Sequence, residues 1–486
     1  MTIVGTSGLI LNEKLLFEHS ASGRKGYSLP KLDVPEAKLP AALCRVEING
    51  FPELSEVDVV RHFTRLSTWN YGVDSGFYPL GSCTMKYNPK VNEAAARLPG
   101  LADIHPATPP HLVQGILELM YRLQVALAEV SGFARVTLQP AAGAHGELAG
   151  MLVIRAWHEA RGSKRSKVLI PDTAHGTNPA TAALTGYDVV PIASQGVLTL
   201  EEVAAHMNDD VAALMVTNPN TLGLFETNIE AICKLVHERG GLVYCDGANL
   251  NALMGIARPG DMGIDVMHFN LHKTFSTPHG GGGPGAGPVG VTEKLIPYLP
   301  GPGVECDGDQ FRFESANADS IGRLMAFHGN VGIMVRAFAY AFSMGGSGLK
   351  HASQMAVLNA NYVRARLEGA YDLPYKRRSL HEVIFSDKDL EGGCHTLDVA
   401  KRLIDYGYHP PTIYFPLVVK GAIMIEPTET ESQEILDEFC DAMIAIAGEA
   451  RDNPELLHQA PVRSKVRRLD ETTAARKPKL RWEENP

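Results

Sequence analysis

With 486 residues the chain exceeds what one ordinary hydrophobic core organises, so two or three domains of one subunit are expected. Hydrophobic residues at 45% against 21% charged describe a folded globular chain, and a net charge of -10 excludes a general nucleic-acid surface. No apolar run is long enough for a membrane helix and the opening MTIVGTSGLILNEKLLFEHS lacks the layout of a signal peptide, so a cytoplasmic address is expected. Seven cysteines without a C-x-x-C pair suit reduced thiols, and neither a disulfide frame nor a metal site is expected.

Residues 1–108 read as an extended N-terminal arm, broken by Pro and Gly and poor in core, that wraps over other parts of the protein or a neighbouring subunit. Its unusual piece is GSCTMK, Gly81 to Lys86, where small residues, a thiol, a hydroxyl and an amine crowd one turn. Cys83 and Thr84 are candidate substrate contacts. A tight connection with Cys83 as a small buried hydrophobe is an equal alternative. Lys86 is a competing reactive lysine, although no strand leads into it.

Residues 109–335 read as a large domain. Leu112, Ile116, Leu119 and Leu123 recur at helical spacing. In LQPAAGAHGELAG a glycine turn opens a long helix, whose free N–H groups and dipole favour an anion, so Gly143, Ala144 and His145 form a candidate phosphate cup. Strands are expected at Lys167–Pro171, Tyr187–Ala193, Ala212–Thr217 and Gly240–Ala248, alternating with helices. Thr227 and Glu230 are read as a capping box for the helix carrying Ile229, Ile232, Cys233 and Val236. Such alternation implies a mostly parallel sheet whose ligand lies beyond the strands' C-terminal ends, where PDTAHGTNP, TNPNTLG, DGANLNA and HKTFSTP converge. His175 offers a flat ring able to stack on a planar cofactor, against the commoner reading of a structural loop histidine. Asn218, Asn220 and Thr221 could bond a cofactor oxygen or a substrate carboxylate, or simply build a turn.

The stretch Asp265 to Val291 organises the rest. A short buried strand, Asp265 to Leu271, delivers His272 and Lys273 to a turn, and Gly280 to Gly283 allow close backbone approach to a ligand. Lys273 suits a Schiff-base lysine. Asp246, at the end of the preceding strand and followed by Ala248, is placed to pair with a protonated pyridine nitrogen. Together with the phosphate cup these residues point to pyridoxal 5'-phosphate. His272 is expected to touch the cofactor phosphate or the substrate.

Residues 336–486 read as a smaller α/β domain and tail. A helix with Met355, Leu358 and Tyr362 on one face bridges the two domains. Strands HEVIFS, TIYF and GAIMIEP follow, then a last helix with Leu436, Phe439, Cys440, Met443 and Ala447 inward and Thr430 with Gln433 at its start. The basic tail after Val462 reads as a solvated or subunit-covering segment.

The runs HFNLHKTFSTPHGGGGPGAGPVGV, DGANLNA, PDTAHGTNPAT, GSCTMKYNP and AAGAHGE, with YHPPTIYFPLVVKGAIMIEPTETES and AARKPKLRW, carry a resemblance. The chain resembles glycine dehydrogenase (decarboxylating), the P-protein of the glycine cleavage system, and more closely subunit 2 of its two-subunit form, nearly end to end. The resemblance implies a type I pyridoxal-phosphate-dependent transferase fold and Lys273 as the cofactor lysine. It further implies glycine as substrate and transfer of its aminomethyl group to the lipoyl arm of H-protein. Subunit 1 is the implied partner, in a heterotetramer with two copies of each chain; neither nucleic acid nor membrane is an expected partner. Cys245 stands where the family more often has an aromatic residue, which leaves the role of Asp246 intact. Two other readings stay open: another type I pyridoxal enzyme, an aminotransferase or amino-acid decarboxylase, and a non-catalytic structural subunit.

Overall fold

The run VAALMVT is apolar throughout because both faces of its strand are covered, as parallel sheets require. In the computed structural model, which describes residues 13–46, 48, 50–280, 283 and 285–481, it is the fully buried strand β4 of a seven-stranded sheet. The opening segment 1–12, Gly281 and Gly282 of the expected glycine run, and the end of the AARKPKLRW motif at Trp482 lie outside the described residues. The sheet comprises β1 (Arg135–Thr137), β2 (Lys167–Pro171), β3 (Asp188–Ile192), β4 (Val211–Thr217), β5 (Leu242–Gly247), β6 (Val266–Phe269) and β7 (Val289–Val291). Its order is β1-β7-β6-β5-β4-β2-β3, with β7 antiparallel to both neighbours and the remaining pairs parallel. The expected mostly parallel sheet is present, with β2 to β6 each within two residues of their anticipated ends, and β1 and β7 are added to it.

Two further sheets follow. The hairpin β8 (Val304–Asp307) and β9 (Gln310–Phe313) stands alone, and β10 (Val383–Ser386), β11 (Thr412–Ile413) and β12 (Ala422–Ile425) form an antiparallel three-stranded sheet in the order β10-β12-β11. The helix Val331–Leu367 runs from the large sheet's core to that of the small one, and Gly345, at φ 61°, interrupts it. The chain divides into two compact units, Phe77–Val462 and a second made of Met1–Gly76 with Arg463–Pro486. In the second unit Ser55 caps the helix Glu56–Ser67: its hydroxyl accepts from Asp58 N at 3.2 Å and its own N–H donates to the Asp58 carboxylate at 3.0 Å. Between residues 27 and 51 this unit leaves Tyr27, Leu29, Leu32, Leu39 and Phe51 exposed. Among the described residues no helix is long and apolar enough to cross a membrane.

Several local expectations are corrected. The helix Ile229–Glu238 starts after Asn228 without a side-chain cap, so Thr227 and Glu230 do not form the capping box. Ser432, not Thr430, caps the helix Gln433–Asp452, accepting from Ile435 N. Leu112 lies before its helix, Gln114–Ser131, and is exposed. The interdomain helix buries Ala352, Ala356, Ala360 and Val363 and leaves Leu358 out, because small side chains allow closer packing than the Met355, Leu358 and Tyr362 stripe.

Glycine sets how closely the helix Gly143–Glu159 can lie on the sheet. A Cβ at Gly150 would stand 2.5 Å from the Tyr244 ring and 3.0 Å from Val266. Alanine gains about 1 kcal/mol of helix propensity there, but overpacking costs about 1–3 kcal/mol, so packing wins. Gly150→Ala is therefore expected to lower the urea midpoint with an unchanged denaturant slope; a raised midpoint would refute this close approach.

Candidate active site

The C-terminal ends of β4, β5 and β6 and the start of the helix Gly143–Glu159 enclose a cavity of about 170 Å³. Eight of the residues anticipated from sequence line it: Gly143, Ala144, His175, Thr221, Asp246, Ala248, His272 and Lys273. Larger clefts exist, such as one of about 530 Å³ beside Gln124 and Arg258, but neither that one nor the cleft beside Lys388 and His395 is lined by Asp246 or Lys273.

Asp246 is 4% exposed. Burial alone would raise its carboxyl; the neighbouring His268, the charge of Lys273, an N–H from Ala248 at 2.9 Å and an amide N–H from Asn178 at 3.2 Å outweigh that and hold it below the usual carboxylate value. It is thus an ionised group kept out of water. His268, which sequence reasoning passed over, supports it with Nε2 3.3 Å from Oδ1. Tyr244 OH stands 2.6 Å from His268 Nδ1, and burial pushes that phenol well up, so it stays protonated and donates. That leaves Nε2 to carry the ring proton toward Asp246.

Lys273 follows β6 in a turn closed by its N–H to Asn270 O at 3.0 Å. Among the described residues no hydrogen bond or ion pair reaches its amine, which faces the cavity. Lys86 is the opposite case: fully buried, it donates to Glu429 Oε1 at 2.7 Å, Thr274 O at 2.8 Å and Asn251 Oδ1 at 2.9 Å. Burial would depress its ammonium, but Glu429 and Tyr340 reverse the effect. One lysine is available and the other is a clamp. His272 is pushed down to about 3, first by burial and then by His279 and Lys273, so its ring is neutral; its Nδ1 has no partner.

The remaining anticipated residues serve the rim or stand behind it. His175 is exposed, with Nδ1 2.8 Å from Thr177 Oγ1 and its ring edge-on to Phe415. Thr221 is buried and donates to Thr173 O. His145, Asn220, Thr84 and Cys83 do not line the cavity. His145 turns back to accept from Ala141 N, and Asn220 spends its amide on Gly196 O and Glu226 while accepting from Leu222 and Leu224. Thr84 and Cys83 lie in the strained turn after Gly81, where Ser82 and Thr84 have φ of 62° and 49°. Sequence reasoning also missed Glu147, Thr177, Thr217 and Asn270 on the cavity wall. The signal for Glu147 and Thr177 was only their position, one turn into and at the start of helices that begin at the sheet's C-terminal edge.

A family profile described as glycine cleavage system P-protein matches residues 34–312, and one described as glycine dehydrogenase, C-terminal domain, matches residues 352–462. The chain is 58% identical over 479 residues to a protein of Exiguobacterium sibiricum and 57% identical over 477 residues to one of Shouchella clausii. Both are called probable glycine dehydrogenase (decarboxylating) subunit 2. The first match covers 97% of this chain and 97% of the relative, the second 96% and 97%. Among solved structures the fold is similar to glycine decarboxylase (P-protein) of the glycine cleavage system in inhibitor-bound form, with a TM-score of 0.71 at 20% identity over 84% of this chain and 93% of that one. It is also similar to a cysteine desulfurase from Thermococcus onnurineus, with a TM-score of 0.61 at 17% identity over 77% and 95%. The large sheet with its smaller C-terminal α/β layer is thus the type I fold of pyridoxal-phosphate-dependent enzymes, and the chain belongs to the glycine cleavage system P-protein family.

Proposed function

We propose that the chain is the catalytic, pyridoxal 5'-phosphate-binding subunit of a two-subunit glycine dehydrogenase (decarboxylating). The observation that carries this reading is that an unpartnered lysine amine and an ionised buried aspartate face one small cavity at the sheet's C-terminal edge. The donor set fits the cofactor. The helix at Gly143 has no side-chain cap, so the N–H groups of Gly143 and Ala144 are open to a phosphate, with His145 behind them. A Cβ on Gly143 would run into the Asn270 side chain, so only glycine lets the backbone come this close. Thr217 Oγ1 and His272 Nδ1 are buried and without partners at the same wall.

Bound there, pyridoxal phosphate supplies an electron-accepting ring for the pair of electrons left when glycine loses CO₂. Lys273 is the amine that holds it covalently, and Asp246 keeps a proton on the ring nitrogen. His175, Ala248 and Thr221, which line the same cavity, would hold the ring in place. Asn220, Thr84 and Cys83 remain the substrate-side residues of this reading, acting from behind the cavity. The product is passed to the lipoyl arm of H-protein, and subunit 1 is the partner in a heterotetramer with two copies of each chain. The exposed apolar side chains between Tyr27 and Phe51 support a covering partner. The arm of residues 1–108, the cofactor domain 109–335 and the C-terminal domain 336–486, together with a cytoplasmic address, belong to the same proposal.

The deciding assay is glycine-dependent exchange of labelled CO₂ with and without subunit 1 and lipoylated H-protein; no exchange in any combination sinks the assignment. Borohydride reduction followed by peptide mapping is expected to mark Lys273, and Lys273→Ala to lose both the mark and the exchange. By contrast, Lys86→Ala is expected to keep the mark while losing about 3 kcal/mol of stability by denaturant titration, because it removes the cation beside Glu429 and leaves Asn251 and Tyr340 to answer that carboxylate. Asp246→Asn is expected to lower kcat by about 10- to 1000-fold, the loss that follows from removing a charge that holds a nearby proton; a kcat within a factor of two of wild type would remove Asp246 from its role.

A further inference from the structure

Antiparallel pairing places two carboxylates face to face. Val383 of β10 is opposite Ile425 of β12, so the next pair outward is Glu382 and Glu426, both 0% exposed. Like charges opposed across a sheet and out of water are destabilising unless something neutralises them. One oxygen of each is held by the turn after Gly81: Ser82 N donates to Glu382 Oε2 at 2.8 Å and Thr84 N to Glu426 Oε2 at 2.8 Å. The other two oxygens, Glu382 Oε1 and Glu426 Oε1, have no partner. His381 Nε2 stands 3.9 Å from the first and 4.0 Å from the second, and neither ring nitrogen has a hydrogen bond. The three groups converge within 4.8 Å.

Every charged or titratable neighbour of this cluster points toward the same chemistry. Lys273 acts on Glu382, Glu426, His381 and Cys83, and Glu429 acts on Glu426. Burial pushes the Cys83 thiol up to about 11, so it stays protonated among them. Burial also takes His381 down to about 3, so its ring is neutral and does not supply the compensating charge. His279, taken down by burial to about 4, is likewise neutral. Burial raises Glu426 to about 6, and burial with the neighbouring Glu426 holds Glu382 well above the usual value. The pair as a unit therefore loses one proton near 6 and keeps the other through neutral pH.

We propose that Glu382 and Glu426 share a single proton and, with His381 beside them, form an acid–base station that serves the amine of Lys273. This rests on the reading of Lys273 as the cofactor lysine. An amino acid arrives as an ammonium ion and must shed one proton before its nitrogen can form the new C–N bond. As that bond forms, the C–N bond to Lys273 breaks and the departing amine takes up one proton. The pair accepts the first and returns the second, so no charge accumulates in a site without water, and the strained Ser82–Thr84 turn fixes its geometry. The positive φ of Ser82 and Thr84 turns their N–H groups onto the two carboxylates.

Infrared spectroscopy of the holoenzyme tests the pair directly. One protonated-carboxyl stretch per chain is expected near neutral pH and is expected to vanish in Glu382→Gln, which removes the carboxyl that burial holds well above the usual value and leaves Glu426, raised only to about 6, ionised. Absence of that stretch in wild type, with a stoichiometric divalent metal in the purified protein, would overturn the proposal, as would a stretch unchanged in both Glu382→Gln and Glu426→Gln. Linkage gives a second reading: a carboxyl whose folded value is raised loses its stabilising contribution as pH rises through about 6. Wild type is therefore expected to lose melting temperature across that range relative to Glu426→Gln, and parallel curves would count against it. The rate at which glycine displaces the lysine, followed by the visible absorbance of the holoenzyme, is expected to inflect near 6 in wild type and not in Glu426→Gln; the same inflection in both would detach the pair from Lys273. A Lys273→Ala chain that still carries covalent cofactor would fail the functional reading instead, while the carboxyl stretch would stand.

Discussion

An ionised carboxylate held out of water at the end of β5 is the constraint on which the cavity depends. Leaving Asp246 buried and unpaired would cost several kcal/mol, so the surroundings are arranged to answer it. Asn178 from one helix, Ala248 from the following loop, His268 from β6 and the charge of Lys273 all point at the same two oxygens. The C-terminal ends of β5 and β6 are thereby joined to the helix that carries Asn178, at the edge where the loops of the fold open.

The two lysines show how similar side chains take different work. Lys86 is placed where carboxylate, carbonyl and hydroxyl groups saturate it, so it joins the turn after Gly81 to Glu429 and to the loop beyond Lys273. Among the described residues Lys273 is left without a hydrogen bond or ion pair beside an anion it does not touch, so its amine stays open to the cavity. Lys86 donates to Thr274 O, so the clamp holds the backbone beside Lys273. The same turn delivers Ser82 and Thr84 to the two opposed glutamates, so GSCTMK ties the small sheet to the cavity wall from behind.

Much of this was legible in the residues. Long apolar runs ending in polar, glycine-containing loops marked the parallel sheet and its ligand edge, and strand-end positions singled out Asp246 and Lys273. Capping boxes at Thr227 and Thr430 were not reliable, because a nearby Asn228 or Ser432 starts each helix instead. The stripe of Met355, Leu358 and Tyr362 was misjudged because close packing rewards alanine over bulk.

The sequence by itself determined the alternation of β2 to β6 with helices and singled out Lys273 and Asp246 at strand ends, since each is a local matter of periodicity and residue type, while the family showed in the resemblance of its long motifs. Only the tertiary structure decided that Lys86 is neutralised and Lys273 is not, that His268 and Glu147 join the cavity, and that Glu382 faces Glu426. Those outcomes depend on groups tens to hundreds of residues apart meeting at distances of a few ångströms, and charge and hydrogen bonding act through space with no regard for the length of chain between them.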